Sequence, residues 1–150
     1  MAKSLIAEGC FWGIEEYFRK LKGVINTAVG YSGGHFNNPS YEEVCTDTTG
    51  HAEVVLIEFD ERELLYEEII SHFWKCHDPT QLNRQGADIG TQYRSAIYYY
   101  SKEQKNIAQN SKNELQKKIS KPIVTEITKA TEFYLAEKYH QSFIHKKTCD

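Results

Sequence analysis

The chain has 150 residues, of which 40% are hydrophobic and 26% are charged, and its formal net charge is −3. These values suit one globular domain that buries enough surface to fold without disulfides or a metal. They argue against a nucleic-acid-binding surface and a membrane span, because the chain has no basic block and no run of about 20 apolar residues.

Apolar periodicity and turn residues predict alternating strands and helices along the chain. The predicted strands are short apolar runs, at residues 4–7, 24–29, 52–59, 95–100 and 123–129. The predicted helices have apolar residues at helical spacing or a capping signal at their start, and they cover residues 11–21, 40–45, 64–76, 101–119 and 135–145. This order predicts an α+β fold, a mixed-sheet α/β sandwich related to the ferredoxin-like split βαβ motif. We expect a single domain of residues 1–150 whose last few residues, from about residue 146, form a short tail.

Cys10 lies where the first predicted strand meets the first predicted helix, between Gly9 and Phe11. Unpaired backbone N–H groups and the helix dipole favour an anion at such a position, so we expect a thiol there to have a lowered pKa and to be nucleophilic. The alternative is that Cys10 is a small buried apolar residue, which is the usual role of an isolated cysteine.

Glu53 stands near the beginning of an otherwise apolar predicted strand. Partial desolvation raises the pKa of such a carboxyl toward neutral pH, and the group can then serve as a general acid. The alternative is a solvated strand end, which is the commoner environment of a glutamate.

Tyr41, Tyr93 and Asp88 lie in or beside predicted loops. The phenols can donate hydrogen bonds to a polar oxygen, although packing is the alternative in a chain with ten tyrosines. Asp88, between glycines, is also explained as a turn residue.

The remaining cysteines and histidines do not have the spacing of a zinc site. His72 and His77 are five residues apart, which places them on different faces of a helix, and Cys76 is adjacent to His77. We therefore expect no metal, and we assign Cys45 and Cys76 to packing.

Six segments together resemble the peptide methionine sulfoxide reductases of the A class. They occur in the family's order and are GCFWG (9–13), GYSGG (30–34), NPSYEEVC (38–45), TGHAE (49–53), HDPTQ (77–81) and GTQYRS (90–95). The resemblance implies a reductase of the S epimer of methionine sulfoxide, free or in proteins, that needs no metal or organic cofactor. It also implies thioredoxin or another dithiol as the reductant.

The resemblance further implies the role of each matching residue. Cys10 would be the nucleophile that becomes a sulfenic acid, and Phe11 and Trp12 would hold the substrate methyl group. The residues around the sulfoxide oxygen would be Glu53, Tyr41, Tyr93 and Asp88. Because residues 1–4 lack the apolar core of a signal peptide, we expect the protein to work in the reducing cytoplasm. We also expect a monomer.

Many members of the family have a glycine-rich C-terminal tail with recycling cysteines, whereas here only Cys149 lies near the end. Cys76 is expected to lie on a core face, and bridging Cys45 to Cys10 would disturb the predicted pocket. We therefore predict that Cys149 resolves the sulfenic acid on Cys10 through a disulfide. Direct attack by an external thiol is the alternative.

Two other functions fit an activated thiol near the N-terminus. One is a cysteine peroxidase or redox sensor, and the other is a non-catalytic module that binds oxidised methionine in an aromatic pocket. A carboxyl and two tyrosines near the thiol favour a sulfoxide, because a peroxide needs no strong acid to lose its oxygen.

Overall fold

The computed structural model describes residues 2–141. Its strands are β1 Ala2–Glu8, β2 Val24–Ser32, β3 Ala52–Phe59, β4 Arg84–Gln85, β5 Asp88–Ile89, β6 Ser95–Tyr99, β7 Glu126–Lys129 and β8 Tyr134–Leu135. Its helices are α1 Phe11–Arg19, α2 Tyr41–Cys45, α3 Tyr66–Cys76 and α4 Lys102–Gln116, and short 3-10 turns cover Thr91–Tyr93 and Lys138–His140. Within these residues, no helix is long and apolar enough to cross a membrane.

Six of the strands form one mixed sheet in the order β7-β6-β1-β3-β2-β8. The strands β1 and β2 are joined by α1 and are both antiparallel to β3, which lies between them. The chain then returns through α3 to β6, which is antiparallel to β1. This arrangement is the split βαβ motif predicted from the order of elements, and α4 extends it by placing β7 parallel to β6.

Both faces of the central strands are buried, because successive side chains of a strand point to opposite faces. Ile6 and Ile57 face the helices, where they join a core with Phe18, Ile69 and Phe73. On the opposite face a smaller cluster is covered by the segment that follows β7, and its buried members are Leu5, Ala7, Ala52, Val54, Ala96 and Tyr98. Cys10 therefore follows closely on a strand whose last five residues, 4–8, are all buried, and this fixes the position of Cys10.

The predicted helix over 135–145 is wrong for residues 135–141, which form the end of β8 and a 3-10 turn. The strand β2 explains the difference, because β8 pairs with it only at Gly30 and Tyr31 and the rest of its outer side needs other hydrogen-bond partners. Gln141 supplies them: its side chain accepts from the Val29 N–H at 2.8 Å and donates to the Val29 carbonyl at 2.8 Å. Residues 142–150, including Cys149, lie outside the described residues.

The segment between α3 and β6, for which no helix or strand is predicted, contains the two-stranded hairpin of β4 and β5. Asn83 and Gly86 adopt positive φ there, at 51° and 61°, which makes the tight turns of a hairpin this short. The hairpin carries Asp88 toward the start of α1, as its charge effect on Cys10 shows.

Candidate active site

The turn from β1 into α1 presents Cys10 as the residue that precedes the helix. Gly9 makes this turn with φ of +102°, and a Cβ at Gly9 would lie 2.9 Å from Cβ of Gln85. Glycine is therefore needed for the turn and for the close approach of the hairpin. Cys10 is partly exposed at the surface that results.

Glu53 lies against the first turn of α1 and is only 2% exposed. The backbone N–H of Phe11 donates to Oε1 of Glu53 at 3.3 Å, and the side-chain amide of Gln92 donates to Oε2 at 3.1 Å. Burial raises the pKa of Glu53 to about 7, against the lowering effect of these two donors, and the charge of Asp88 raises it further. The direction agrees with the prediction, and the carboxyl holds its proton in a large fraction of molecules at neutral pH.

The Cys10 thiol differs from the prediction of a lowered pKa. Burial raises its pKa to about 11; the backbone N–H groups of Trp12 and Gly13 lower it, and the charges of Glu53 and Asp88 raise it. The helix N-terminus alone would lower the pKa of Cys10, but burial and the two carboxylates outweigh its effect. Without substrate, the sulfur therefore keeps its proton at neutral pH.

Tyr41 and Tyr93 meet beside Glu53, and the side chain of Tyr41 hydrogen-bonds to that of Tyr93. Burial raises the pKa of Tyr93 to about 12 and that of Tyr41 further still, and the charge of Glu53 adds to both shifts. Both phenols thus remain protonated and can donate hydrogen bonds.

Gln92 is a residue of the site that the sequence analysis did not single out. It is 4% exposed, and its Nε2 donates to Glu53 and also lies 3.4 Å from Sγ of Cys45. Cys45 is exposed and hydrogen-bonds with Tyr41, so its assignment to packing is wrong. The 3-10 turn that places Gln92 next to Glu53 has no signature in the local sequence that would have identified this contact.

The aromatic residues beside Cys10 have different environments. Phe11 is 1% exposed and packs against Tyr31, with ring centroids 5.8 Å apart, whereas Trp12 is only partly buried. Trp12 is held by His140, whose Nδ1 accepts the indole N–H at 3.0 Å. Trp12 is thus the more accessible of the two aromatic neighbours of Cys10.

His140 is almost fully buried and connects the aromatic residues of the site. Its ring centroid lies 5.4 Å from that of Phe11, 5.5 Å from that of Trp12 and 4.6 Å from that of Tyr41. Burial lowers its pKa, which keeps the ring neutral and Nδ1 able to accept. The sequence analysis placed His140 inside a predicted helix and so gave it no role.

Glu137 links the same C-terminal segment to α2. Its Oε1 accepts the hydroxyl of Tyr31 at 3.0 Å, and its Oε2 accepts the backbone N–H of Tyr41 at 3.0 Å. At its start, α2 has the capping box predicted from Ser40 and Glu43. Residues 137–141 therefore position both Trp12 and Tyr41.

The structure brings seven of the eight sequence-predicted residues to one place, namely Cys10, Phe11, Trp12, Tyr41, Glu53, Asp88 and Tyr93. The eighth, Cys149, lies outside the described residues. Asp88 is exposed, and it acts on the site through its charge. Among residues 2–141, no group of three or more His, Cys, Asp or Glu side chains is arranged to hold a metal ion.

Comparison with known proteins identifies relatives over nearly the whole chain. A family model described as peptide methionine sulfoxide reductase matches residues 2–149. The chain is 56% identical over 149 residues to peptide methionine sulfoxide reductase MsrA of Methanosarcina acetivorans, and the match covers 98% of this chain and 79% of that protein. It is 53% identical over 146 residues to MsrA of Clostridium tetani, covering 97% and 89% of the two chains.

Solved structures share the fold as well. Mxr1 from Saccharomyces cerevisiae in reduced form matches with a TM-score of 0.93 and 34% identity, over 99% of this chain and 87% of that one. Methionine sulfoxide reductase A of Corynebacterium diphtheriae matches with a TM-score of 0.89 and 38% identity, over 99% and 76% of the two chains. Both the sequence comparison and the fold comparison thus find methionine sulfoxide reductases.

Proposed function

Because the chain belongs to the peptide methionine sulfoxide reductase family, we propose that it reduces the S epimer of methionine sulfoxide, free or in proteins, at the thiol of Cys10. The observation that supports this most directly is the buried carboxyl of Glu53, with a pKa of about 7, close enough for its charge to act on the sulfur of Cys10. A sulfoxide is reduced by a thiol only when its oxygen is polarised or protonated, and Glu53 supplies that proton.

The oxygen of the bound sulfoxide lies among the carboxyl of Glu53 and the hydroxyls of Tyr41 and Tyr93. All three groups carry a proton at neutral pH in part or in full. Donation to the oxygen draws electrons from the sulfoxide sulfur and makes it electrophilic. Gln92 keeps the carboxyl turned toward this position through its bond to Oε2.

Because its pKa is raised, the thiol of Cys10 becomes a thiolate only once the substrate is bound. Burial opposes thiolate formation most strongly in the free site, and the negative charges of Glu53 and Asp88 add to it. When Glu53 is protonated, its negative charge no longer opposes the thiolate. The positive charge that develops on the substrate sulfur then stabilises the thiolate. The thiol then releases its proton as it attacks.

Overall, the oxygen moves from the substrate sulfur to the sulfur of Cys10. The substrate sulfur is reduced by two electrons to a thioether, and Cys10 is oxidised by two electrons to a sulfenic acid. The proton that Glu53 gives to the oxygen is matched by the proton that the thiol releases, so the step consumes no net proton.

Trp12 is proposed to contact the S-methyl group, since its ring is partly accessible beside Cys10. Phe11 forms the floor beneath it, because its ring is buried against Tyr31 and His140. Contacts between sulfur and aromatic rings contribute about 0.3–1.5 kcal/mol each, which suits the recognition of a thioether product and its oxide.

Recycling of the sulfenic acid is assigned to Cys149, followed by reduction of the Cys10–Cys149 disulfide by thioredoxin or another dithiol. Condensation of a sulfenic acid with a thiol gives a disulfide and water, so the step balances without another reactant. We further propose that residues 1–150 work as one catalytic domain with a short tail from about residue 146, as a monomer in the reducing cytoplasm.

The test is an assay that follows the S and R epimers of a methyl sulfoxide separately, with dithiothreitol as the reductant. The proposal requires the S epimer to be consumed and an equal amount of thioether to appear. Consumption of hydrogen peroxide without sulfoxide reduction would assign the protein to the peroxidases instead, and binding without turnover would make it a non-catalytic module.

A further inference from the structure

Asp47 lies in the loop between α2 and β3 with its backbone in the left-handed region, which among non-glycine residues Asp and Asn tolerate best. Its φ is +64°, in the left-handed region that non-glycine residues adopt at a cost in energy. Its Oδ1 accepts the backbone N–H of Thr91 at 3.1 Å and also the hydroxyl of Thr91. An exposed carboxylate in a strained conformation thus holds both donors of one distant residue.

Thr91 is the first residue of the 3-10 turn that carries two groups of the site. Gln92, the next residue, donates to Oε2 of Glu53 at 3.1 Å, and Tyr93 hydrogen-bonds with Tyr41. The turn follows Gly90, whose φ of 141° is open to little but glycine. The turn therefore follows a residue whose conformation requires glycine, and Asp47 accepts the hydrogen bond of the first N–H group of the turn.

Arg94 fixes the other side of the same turn. Its guanidinium donates to the carbonyl of Thr91 at 2.9 Å and to the carbonyl of Gly50 at 2.9 Å. Arg94 thereby holds the carbonyl of Thr91, while Asp47 holds the N–H and hydroxyl of that residue. Both anchors lead to the loop that connects α2 to β3.

We propose that Asp47 is a positioning residue for sulfoxide reduction, which holds the Thr91–Tyr93 turn so that the Gln92 amide meets the Glu53 carboxyl. The inference rests on the proposed function, in which Glu53 is the acid. Asp47 acts through Thr91, the residue whose N–H and hydroxyl its carboxylate accepts. The strained backbone at Asp47 is consistent with this role, because glycine would fit the φ but would give up both hydrogen bonds.

Loosening of the Thr91–Tyr93 turn should raise the pKa of Glu53. Gln92 lowers the pKa of Glu53 from the value that burial would otherwise give it. If the turn loosens, this donor is lost or weakened, so the pKa of Glu53 rises. The rate falls at alkaline pH as Glu53 loses its proton, and this alkaline limb of the pH profile then moves to higher pH. The rate on the plateau falls at the same time, because the carboxyl and the Tyr93 hydroxyl are no longer held in place.

Two variants at one position separate the hydrogen bonds from the backbone conformation. Asp47→Gly tolerates positive φ and removes the acceptor, whereas Asp47→Asn also tolerates positive φ and keeps an oxygen acceptor at Oδ1. Thr91→Ser and Thr91→Val form a second pair, in which only the serine retains the hydroxyl. Thermal unfolding of each variant accompanies the kinetics.

The experiment is single-turnover reduction of a methyl sulfoxide by the full chain, followed from pH 5 to 9. We expect Asp47→Gly to be slower than wild type by about 10-fold and to have its alkaline limb at higher pH, with Asp47→Asn within about 3-fold of wild type. A wild-type rate and limb in Asp47→Gly overturn the inference, as does a slower rate with an unmoved limb. If the wild-type chain itself reduces no sulfoxide, the proposed function fails instead.

Discussion

The backbone N–H of Phe11 donates a hydrogen bond to Oε1 of Glu53 at 3.3 Å, which ties the carboxyl on β3 to the first turn of the helix that follows Cys10. The proposed acid, Glu53, and the proposed nucleophile, Cys10, are thus connected through one contact between β3 and α1. The negative charge of Glu53 contributes to the raised pKa of Cys10, so a change in the protonation of Glu53 changes the pKa of Cys10.

The first prediction follows from the pKa of Glu53. With a value of about 7, the carboxyl is protonated below neutral pH and loses its proton as pH rises, so the rate of the reductive step should fall through pH 7. Glu53→Gln should lower that rate by about 10²–10⁴-fold and abolish this alkaline limb. Stopped-flow measurement of one turnover between pH 5 and 9 provides the profile, and Glu58→Gln on the same strand is the matched control. A wild-type rate in Glu53→Gln at neutral pH would show that the acid is another group.

The second prediction concerns the hydrogen bond between Trp12 and His140. His140→Phe keeps a ring of similar shape but removes the acceptor for the indole N–H, so the indole loses its fixed orientation. We expect KM for a methyl sulfoxide to rise by about 3–10-fold while kcat changes less than 3-fold. Trp12→Phe, which removes the donor instead, should have a similar effect. If His140→Phe lowers kcat and leaves KM unchanged, then His140 acts in the chemical step and not in binding.

Some features of the candidate site could be predicted from the sequence, and others could not. The position of Cys10 beside the helix and of Glu53 on its strand could be predicted, because apolar periodicity is a local signal. The pKa of Cys10 could not, since it depends on burial and on two carboxylates from other segments. Gln92 was likewise not predictable, because its partner is 39 residues away along the chain.

The third prediction concerns a buried pair behind the site. Oε2 of Glu8 lies 3.2 Å from Nδ1 of His77, and both side chains are fully buried. Burial raises the pKa of Glu8 from 4.5 to about 7, against the lowering effect of His77. The folded state therefore binds this proton more tightly than the unfolded state, and the stability linked to it is present below pH 4.5 and is lost as pH rises through 7.

Glu8→Gln tests this linkage by removing the titrating group while keeping its shape. The free energy of unfolding should be greater in Glu8→Gln than in wild type at pH 8, by on the order of 1–3 kcal/mol, with the difference shrinking toward pH 5. Urea unfolding at both pH values measures it. A difference that is the same at pH 5 and pH 8 would contradict a raised pKa for Glu8.

The fourth prediction concerns the recycling of Cys10. After one turnover without reductant, peptide mapping should find a disulfide between Cys10 and Cys149, and Cys149→Ser should slow turnover driven by thioredoxin while leaving the first turnover intact. Cys76→Ser is the control, since Cys76 is partly buried against the core. A free Cys149 beside an oxidised Cys10, with thioredoxin-driven turnover unchanged in Cys149→Ser, would assign recycling to an external thiol.

The most direct test measures how much thioether forms from the S epimer of a methyl sulfoxide in one turnover without any reductant. It compares the wild-type chain with Cys10→Ser. We predict one equivalent per chain for wild type and none for Cys10→Ser, with no product from the R epimer in either case. Formation of thioether by Cys10→Ser would contradict the assignment of Cys10 as the nucleophile.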